Sequence, residues 1–318
     1  MAIAKIANPN RMKHFRTIAG IVILTLTIAA VLPRAPQMQK KSDKVKVVTT
    51  IFPLYDFTKN IGKDWVEVSL LLPPGTDMHS FEPKPSDIVT IRNADVFVYA
   101  GDEVEPWVED ILKSVTGEST IVIDASKNIL FLQDSDHDHA IDPHYWLDFA
   151  NAQTMVGTIS SALIKADTAH ASDYGANARQ YQKALAYLDQ EFATGLISCA
   201  NRQIIYGGHY ALGYLAQRYN LQYLAAQGFI PDSEPTAPDL IRLVEQIREQ
   251  NVRFVFYEEL SSPKIAETLA RETNTQLLPL YSAHNVAKKD LENDRTFLSI
   301  MQENLKNLRI GLQCTITL

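Results

Sequence analysis

Two series of short apolar, β-branched runs alternate with helical stretches along this chain, and one long amphipathic segment separates the series. The first series has runs at 45–52, 66–72, 96–99 and 121–124, with helical patterning at 55–61 and 85–93 between them. The second has runs at 203–206, 222–225, 252–257 and 276–281, with helical patterning at 211–219, 237–250, 263–273 and, finally, 295–312. Strands that alternate with helices pair in parallel, because each crossover helix carries the chain back to the starting edge of the sheet. The expected fold is α/β: two lobes, each on a mostly parallel sheet.

Between the two series, helical patterning holds at 152–164 and again from 171. Tyr174, Ala178, Tyr181, Leu185, Leu188 and Phe192 recur at steps of three and four residues, which places them on one face of a single helix. A helix of about 25 residues is near 38 Å long at 1.5 Å per residue, more than one small domain needs. It reads as a rigid connector over 171–198, between a first lobe at 44–170 and a second at 199–318. Two such lobes beside a helix leave a cleft, the usual place for a small ligand.

The segment 1–43 carries the address. Arg11, Lys13 and Arg16 precede an uncharged run from Ile18 to Leu32, which Pro33, Arg34 and Pro36 end, the layout of a secretory leader. The run is shorter than the roughly 20 residues that span a bilayer as a helix, which favours removal of the leader over an uncleaved anchor. Thr27-Ile-Ala29 is the best candidate cleavage site. Formal net charge is −7, and loss of Lys5, Arg11, Lys13 and Arg16 with the leader makes the exported part more acidic still. An acidic exported chain is a poor partner for nucleic acid and a better one for a cation. Cys199 and Cys314 are its two cysteines, and an oxidising compartment favours joining them.

Three histidines lie in turn-forming contexts: His79 behind Pro73-Pro-Gly75, His144 in Asp142-Pro-His144, and His209 after Gly207-Gly208. Open α/β sheets present their ligand loops at the carboxyl ends of strands, and three converging imidazoles make a site for a first-row metal. A lone loop histidine is more often a hydrogen-bonded or solvated residue than a ligand. Three divided between two lobes change that balance. Asp77, Glu82 and Asp142 are local carboxylates able to accept from the ring N–H of a ligating histidine, or to serve only as caps and turn formers.

Thr49-Thr-Ile-Phe-Pro-Leu-Tyr55, Pro73-Pro-Gly-Thr-Asp-Met-His-Ser-Phe-Glu-Pro83, Asp142-Pro-His-Tyr-Trp-Leu-Asp148, His209-Tyr-Ala-Leu-Gly-Tyr-Leu215 and Ser233-Glu-Pro235 together resemble the zinc/manganese solute-binding proteins of bacterial ABC importers. The resemblance runs from about Lys44 to the C-terminus with the motifs in order. It implies two α/β lobes joined by a long helix, a metal at their interface, and His79, His144 and His209 as its ligands. The family's fourth ligand is commonly a carboxylate of the second lobe. Here the matching stretch, Leu280-Tyr-Ser-Ala-His-Asn285, has none, so His284 becomes the candidate, with Asp290, Glu258 or water as alternatives.

Nitrogen-rich ligation favours zinc over manganese. The tract Asp134-Ser-Asp-His-Asp-His139 resembles a shortened version of the His/Asp-rich loop of zinc-directed members, or is simply a flexible acidic loop. The resemblance implies a monomeric periplasmic protein, not an enzyme, that hands a divalent ion to an ABC permease. The alternative is an exported zinc hydrolase with three histidines, a bound water and a base such as Glu82 or Asp77, although no His-Glu-x-x-His motif is present.

Overall fold

A computed structural model describes residues 44–115, 119–133, 141–229 and 235–315. The leader, the 134–139 tract and most of the Ser233-Glu-Pro235 motif lie outside the described residues. Strands β1 (Val45–Thr49), β2 (Val66–Leu70), β3 (Val96–Tyr99) and β4 (Ile121–Asp124) form one sheet in the order β2-β1-β3-β4, every pair parallel. Helices α1 (Phe52–Gly62), α2 (Pro85–Arg92) and α3 (Val108–Val115) connect them, and α4 (Phe149–Ala166) follows. After α5 (Ala171–Gly195), strands β5 (Gln203–Tyr206), β6 (Gln222–Ala225), β7 (Phe254–Tyr257) and β8 (Gln276–Pro279) repeat the arrangement in the order β6-β5-β7-β8, again all parallel. Helices α6 (Gly213–Arg218), α7 (Ala237–Glu249), α8 (Lys264–Thr273), α9 (Lys288–Glu292) and α10 (Phe297–Gly311) complete the second lobe.

Local chemistry explains most element ends. β1 ends at Thr49, short of the run expected to 52, and Pro53 sits in the first turn of α1, where its missing N–H costs no hydrogen bond; Pro85 opens α2 for the same reason. Asp148 caps α4 by accepting from the amides of Ala150 and Asn151. In α7, Thr236 and Asp239 cap each other reciprocally. The buried face of α5 is Tyr174, Ala178, Tyr181, Leu185, Leu188 and Phe192, the stripe its spacing dictates. Among the described residues no helix is long and apolar enough to cross a membrane.

The two lobes are not separate bodies joined by a flexible strap. One hydrophobic core runs from Val47, Phe57 and Trp146 through the α5 stripe to Tyr206, Phe256 and Phe297. Each sheet then packs its other face against its own helices, Phe97 and Tyr99 with Ile91 and Ile111, Ile205 and Val255 with Leu243 and Leu269. Polar ties add to this. Tyr181 in α5 donates to Asp56 of α1 at 2.6 Å, and Arg218 of α6 pairs with Asp148, the cap of α4, at 2.9 Å.

Cys199 and Cys314 form a disulfide across a sequence separation of 115, joining the chain just after α5 to the chain just after α10 and so enclosing the second lobe in one covalent loop. Cross-linking a loop of that length stabilises by about 4–5 kcal/mol through the entropy removed from the unfolded chain. Urea unfolding of the oxidised protein and of a Cys199→Ala/Cys314→Ala variant should differ by several kcal/mol. Equal midpoints would show that the bridge only decorates a lobe already fixed by its core.

Candidate metal centre

Each histidine singled out in the sequence is carried by a loop at the carboxyl end of a sheet. His79 lies in the loop between β2 and α2, His209 directly behind β5, and His284 behind β8; His144 comes twenty residues after β4, just before a single 3-10 turn at Tyr145–Leu147. The Gly207-Gly208 pair is required here. A Cβ on Gly207 would lie 2.7 Å from the backbone of Ala266 in α8, and one on Gly208 would lie 3.2 Å from a Glu258 carboxylate oxygen. Only glycine lets β5 turn this tightly under α8 and deliver His209 to the cleft.

One ring nitrogen from each of His79, His144 and His209 lies within 4.8 Å of the others. His144 and His209 have no exposed surface, and His79 is partly exposed. The Nδ1 of His144 meets Asp142 Oδ1 at 2.9 Å, and the Nδ1 of His209 meets Glu258 Oε2 at 2.8 Å. A carboxylate can only accept, so each Nδ1 carries the proton and each Nε2 turns a lone pair into the cleft. Those two Nε2 atoms face each other at 3.2 Å. Adjacent ligands of a tetrahedral zinc, each at 2.0–2.1 Å, lie about 3.3 Å apart. The Nε2 of His79, also buried, has no hydrogen-bond partner.

The supporting carboxylates are themselves held. Glu258 accepts from Ser261 Oγ at 3.0 Å and Ser282 Oγ at 3.3 Å. Asp142 accepts at Oδ1 from the His144 amide at 2.9 Å, and its carbonyl accepts from Tyr214 of α6 at 3.2 Å. Gly213 makes room for this approach, since a Cβ there would stand 2.4 Å from Asp142 Oδ2.

The other sequence candidates fall differently. Asp77 accepts from the His79 amide at 2.8 Å through Oδ1, while its Oδ2 faces the Nε2 of His284 at 3.8 Å. Glu82 is exposed, and Asp290 is drawn into an ion pair with Arg295 at 3.2 Å. Glu258, a candidate ligand by sequence, is spent on the Nδ1 of His209. His284 is 1 % exposed, its ring 6.2 Å from that of His209, with Nδ1 at 2.7 Å from Ser282 Oγ and a buried Nε2 lacking a hydrogen-bond partner. The contacts of Ser282 with Trp146, whose indole donates to the Ser282 carbonyl at 2.9 Å, and with Glu258 were not legible, because those partners are distant in sequence.

Electrostatics separates the imidazoles. Burial, then the nearby His209, pushes His79 down to about 4 against the pull of Asp77. Burial and the same neighbours hold His144 well below the ordinary histidine value, and burial lowers His284. Burial also opposes charge on His209, but the Glu258 carboxylate outweighs it and raises His209, while Glu258 is drawn down to about 2. The first proton taken up on acidification therefore goes to His209, and lies in the Nε2–Nε2 gap. Proton NMR titration of the metal-free protein should show His209 titrating highest of the four and His79 near pH 4, with Glu258→Gln moving His209 downward. A His79 that titrates above His209 would contradict this ordering.

Residues 47–311 match the family model of the periplasmic zinc-uptake complex component A. The chain is 35% identical over 284 residues to the high-affinity zinc uptake system protein ZnuA of Bacillus subtilis, covering 86% of this chain and 89% of that protein. It is 33% identical over 309 residues to the zinc-binding protein AdcA of Streptococcus pyogenes, covering 91% of this chain but 60% of the relative, so it spans about three fifths of the AdcA proteins it matches. The Zn(II)-bound ZnuA-like domain of Streptococcus pneumoniae AdcA superposes with a TM-score of 0.74 at 30% identity, covering 85% of this chain and 99% of that domain. With two parallel sheets, a long helix between them and a histidine cluster in the cleft, this chain belongs to the zinc-uptake component A family of metal-binding transport proteins.

Proposed function

We propose that this protein captures a divalent transition metal outside the cytoplasmic membrane, zinc in preference to manganese, and delivers it to an ABC permease. The observation that carries the reading is the pair of Nε2 atoms at 3.2 Å, each turned inward by a carboxylate on its Nδ1. Two buried lone pairs at that separation repel unless a proton or a cation lies between them, and the spacing suits zinc. His79 supplies the third nitrogen. His284 lies beside this group of three, its Nδ1 engaged by Ser282 and its buried Nε2 facing Asp77 at 3.8 Å, and is the candidate for the fourth.

Four nitrogens favour zinc over manganese, which takes oxygen-rich, higher-coordinate sites. The carboxylates of Asp142 and Glu258 sit one atom behind the ligands, so the ion's charge is balanced without a carboxylate in the coordination sphere. A closed set of protein ligands is a holding site and leaves no open position for a reacting water. That favours transport over hydrolysis. Of the candidate bases, Glu82 lies at the surface, and Asp77 is held by its own loop and by His284. The names of the relatives, zinc-binding and zinc-uptake proteins, point the same way.

Elemental analysis of protein purified without added metal, with chelator competition, tests the reading. Wild type should hold one zinc per chain, and His144→Ala or His209→Ala should lose nearly all of it while staying folded. Glu258→Gln, which keeps the shape but weakens the Nδ1 acceptor, should cost roughly 10–100-fold in affinity. Undiminished zinc in His209→Ala would refute the site.

A further inference from the structure

Between β8 and α9 the second lobe sends one short segment, residues 280–287, against the first lobe. Its far side is anchored at home: Asn304 of α10 bonds both the amide and the carbonyl of Tyr281 at 2.8 Å, and Tyr206 donates to the Leu280 carbonyl at 3.0 Å. Its near side is bonded to the first lobe. Trp146 donates to the Ser282 carbonyl, and the Phe52 amide to the His284 carbonyl at 3.0 Å. Ala283, at φ 57°, takes a left-handed conformation that sets Ser282 toward Glu258 and leaves Asn285 aimed across the cleft. This strap is fixed at both ends.

What it reaches is the loop that carries His79. No helix or strand lies between Leu70 and Pro85. The Asn285 side chain, 2 % exposed, donates from Nδ2 to the carbonyls of Pro73 at 2.8 Å and Thr76 at 2.7 Å, and its Oδ1 accepts from the Val286 amide at 2.8 Å. The Gly75 amide adds a bond to the Val286 carbonyl at 2.9 Å. Both donors of the Asn285 amide are therefore spent on the His79 loop, while its oxygen is held by the next residue of the strap. Across that junction, His79 is the one histidine of the cluster with exposed surface, so the way from the ion to solvent passes beside its loop.

We infer that Asn285, which touches no histidine-bound ion itself, is a positioning residue: the two hydrogen bonds from its amide latch the His79 loop shut and set the rate at which metal enters and leaves. The shared core leaves no hinge between the lobes, so exchange proceeds by lifting this loop, with the strap standing still. The inference rests on His79 being a ligand, and the test keeps the two apart.

Zinc release from the full chain into a chelator is timed by stopped flow for wild type, Asn285→Ala, the isosteric Asn285→Asp, His79→Ala and the Asn285→Ala/His79→Ala pair. Amide exchange of residues 73–81 is followed in the metal-free proteins, and thermal unfolding reports whether each folds. Loss of two buried hydrogen bonds to the loop should speed zinc release about tenfold or more in both Asn285 variants. It should also speed Gly75 exchange without metal present and have no further effect once His79 is gone. Unchanged release from a folded Asn285 variant, or equal acceleration in the His79→Ala background, overturns the latch. Should Asn285→Ala not fold, Asn285→Asp, alone and combined with His79→Ala, decides by the same two readouts. Zinc held equally by wild type and His79→Ala would instead remove the ligand reading.

Discussion

Two hydrogen bonds, Asp142 to the Nδ1 of His144 and Glu258 to the Nδ1 of His209, govern everything else in the cleft. An imidazole free to choose its tautomer presents either nitrogen. One whose Nδ1 faces a carboxylate presents only the lone pair of Nε2. Because each pair comes from a different lobe, and both are buried, the lone pairs face each other at 3.2 Å across the cleft. The desolvation that makes such a gap unfavourable when empty is what makes a cation in it favourable.

The scaffold protects that distance. A core continuous through α5 and the Arg218 bridge to α4 resist relative motion of the sheets, and the disulfide closes the second lobe on itself. Rigid placement of ligands favours affinity and hinders release, so the conflict has to be resolved locally. The His79 loop has no helix or strand, carries the partly exposed imidazole and is tied to the second lobe by few hydrogen bonds. On the proposed account, retention falls to the buried pair of nitrogens and exchange to the third.

Much of this was legible in the sequence. β3, β4, β5 and β6 occupy the residues their β-branched runs mark out, and the buried stripe of α5 follows directly from its spacing. α3 and α9 were not seen: Val108–Val115 is short and follows Pro106-Trp107, and Lys288–Glu292 is too polar to show a stripe. The histidines were visible because turn residues flank them, and Asp142 because it sits two positions from His144. Glu258 and Asn285 were not visible in their roles, since their partners lie 49 and more than 200 residues away and no local pattern encodes a contact at such separations. The ligand set drew on family resemblance; the 3.2 Å gap that gives it physical meaning exists only in the folded chain.

The central claim is that one ion replaces the proton between the two facing imidazoles. Anomalous diffraction at the zinc edge from crystals of the loaded protein tests it most directly. A single peak about 2.0–2.1 Å from the Nε2 atoms of His144 and His209, with His79 and His284 completing a tetrahedron, is the predicted result. A peak bound through Nδ1, or one away from the His144–His209 gap, would contradict the account.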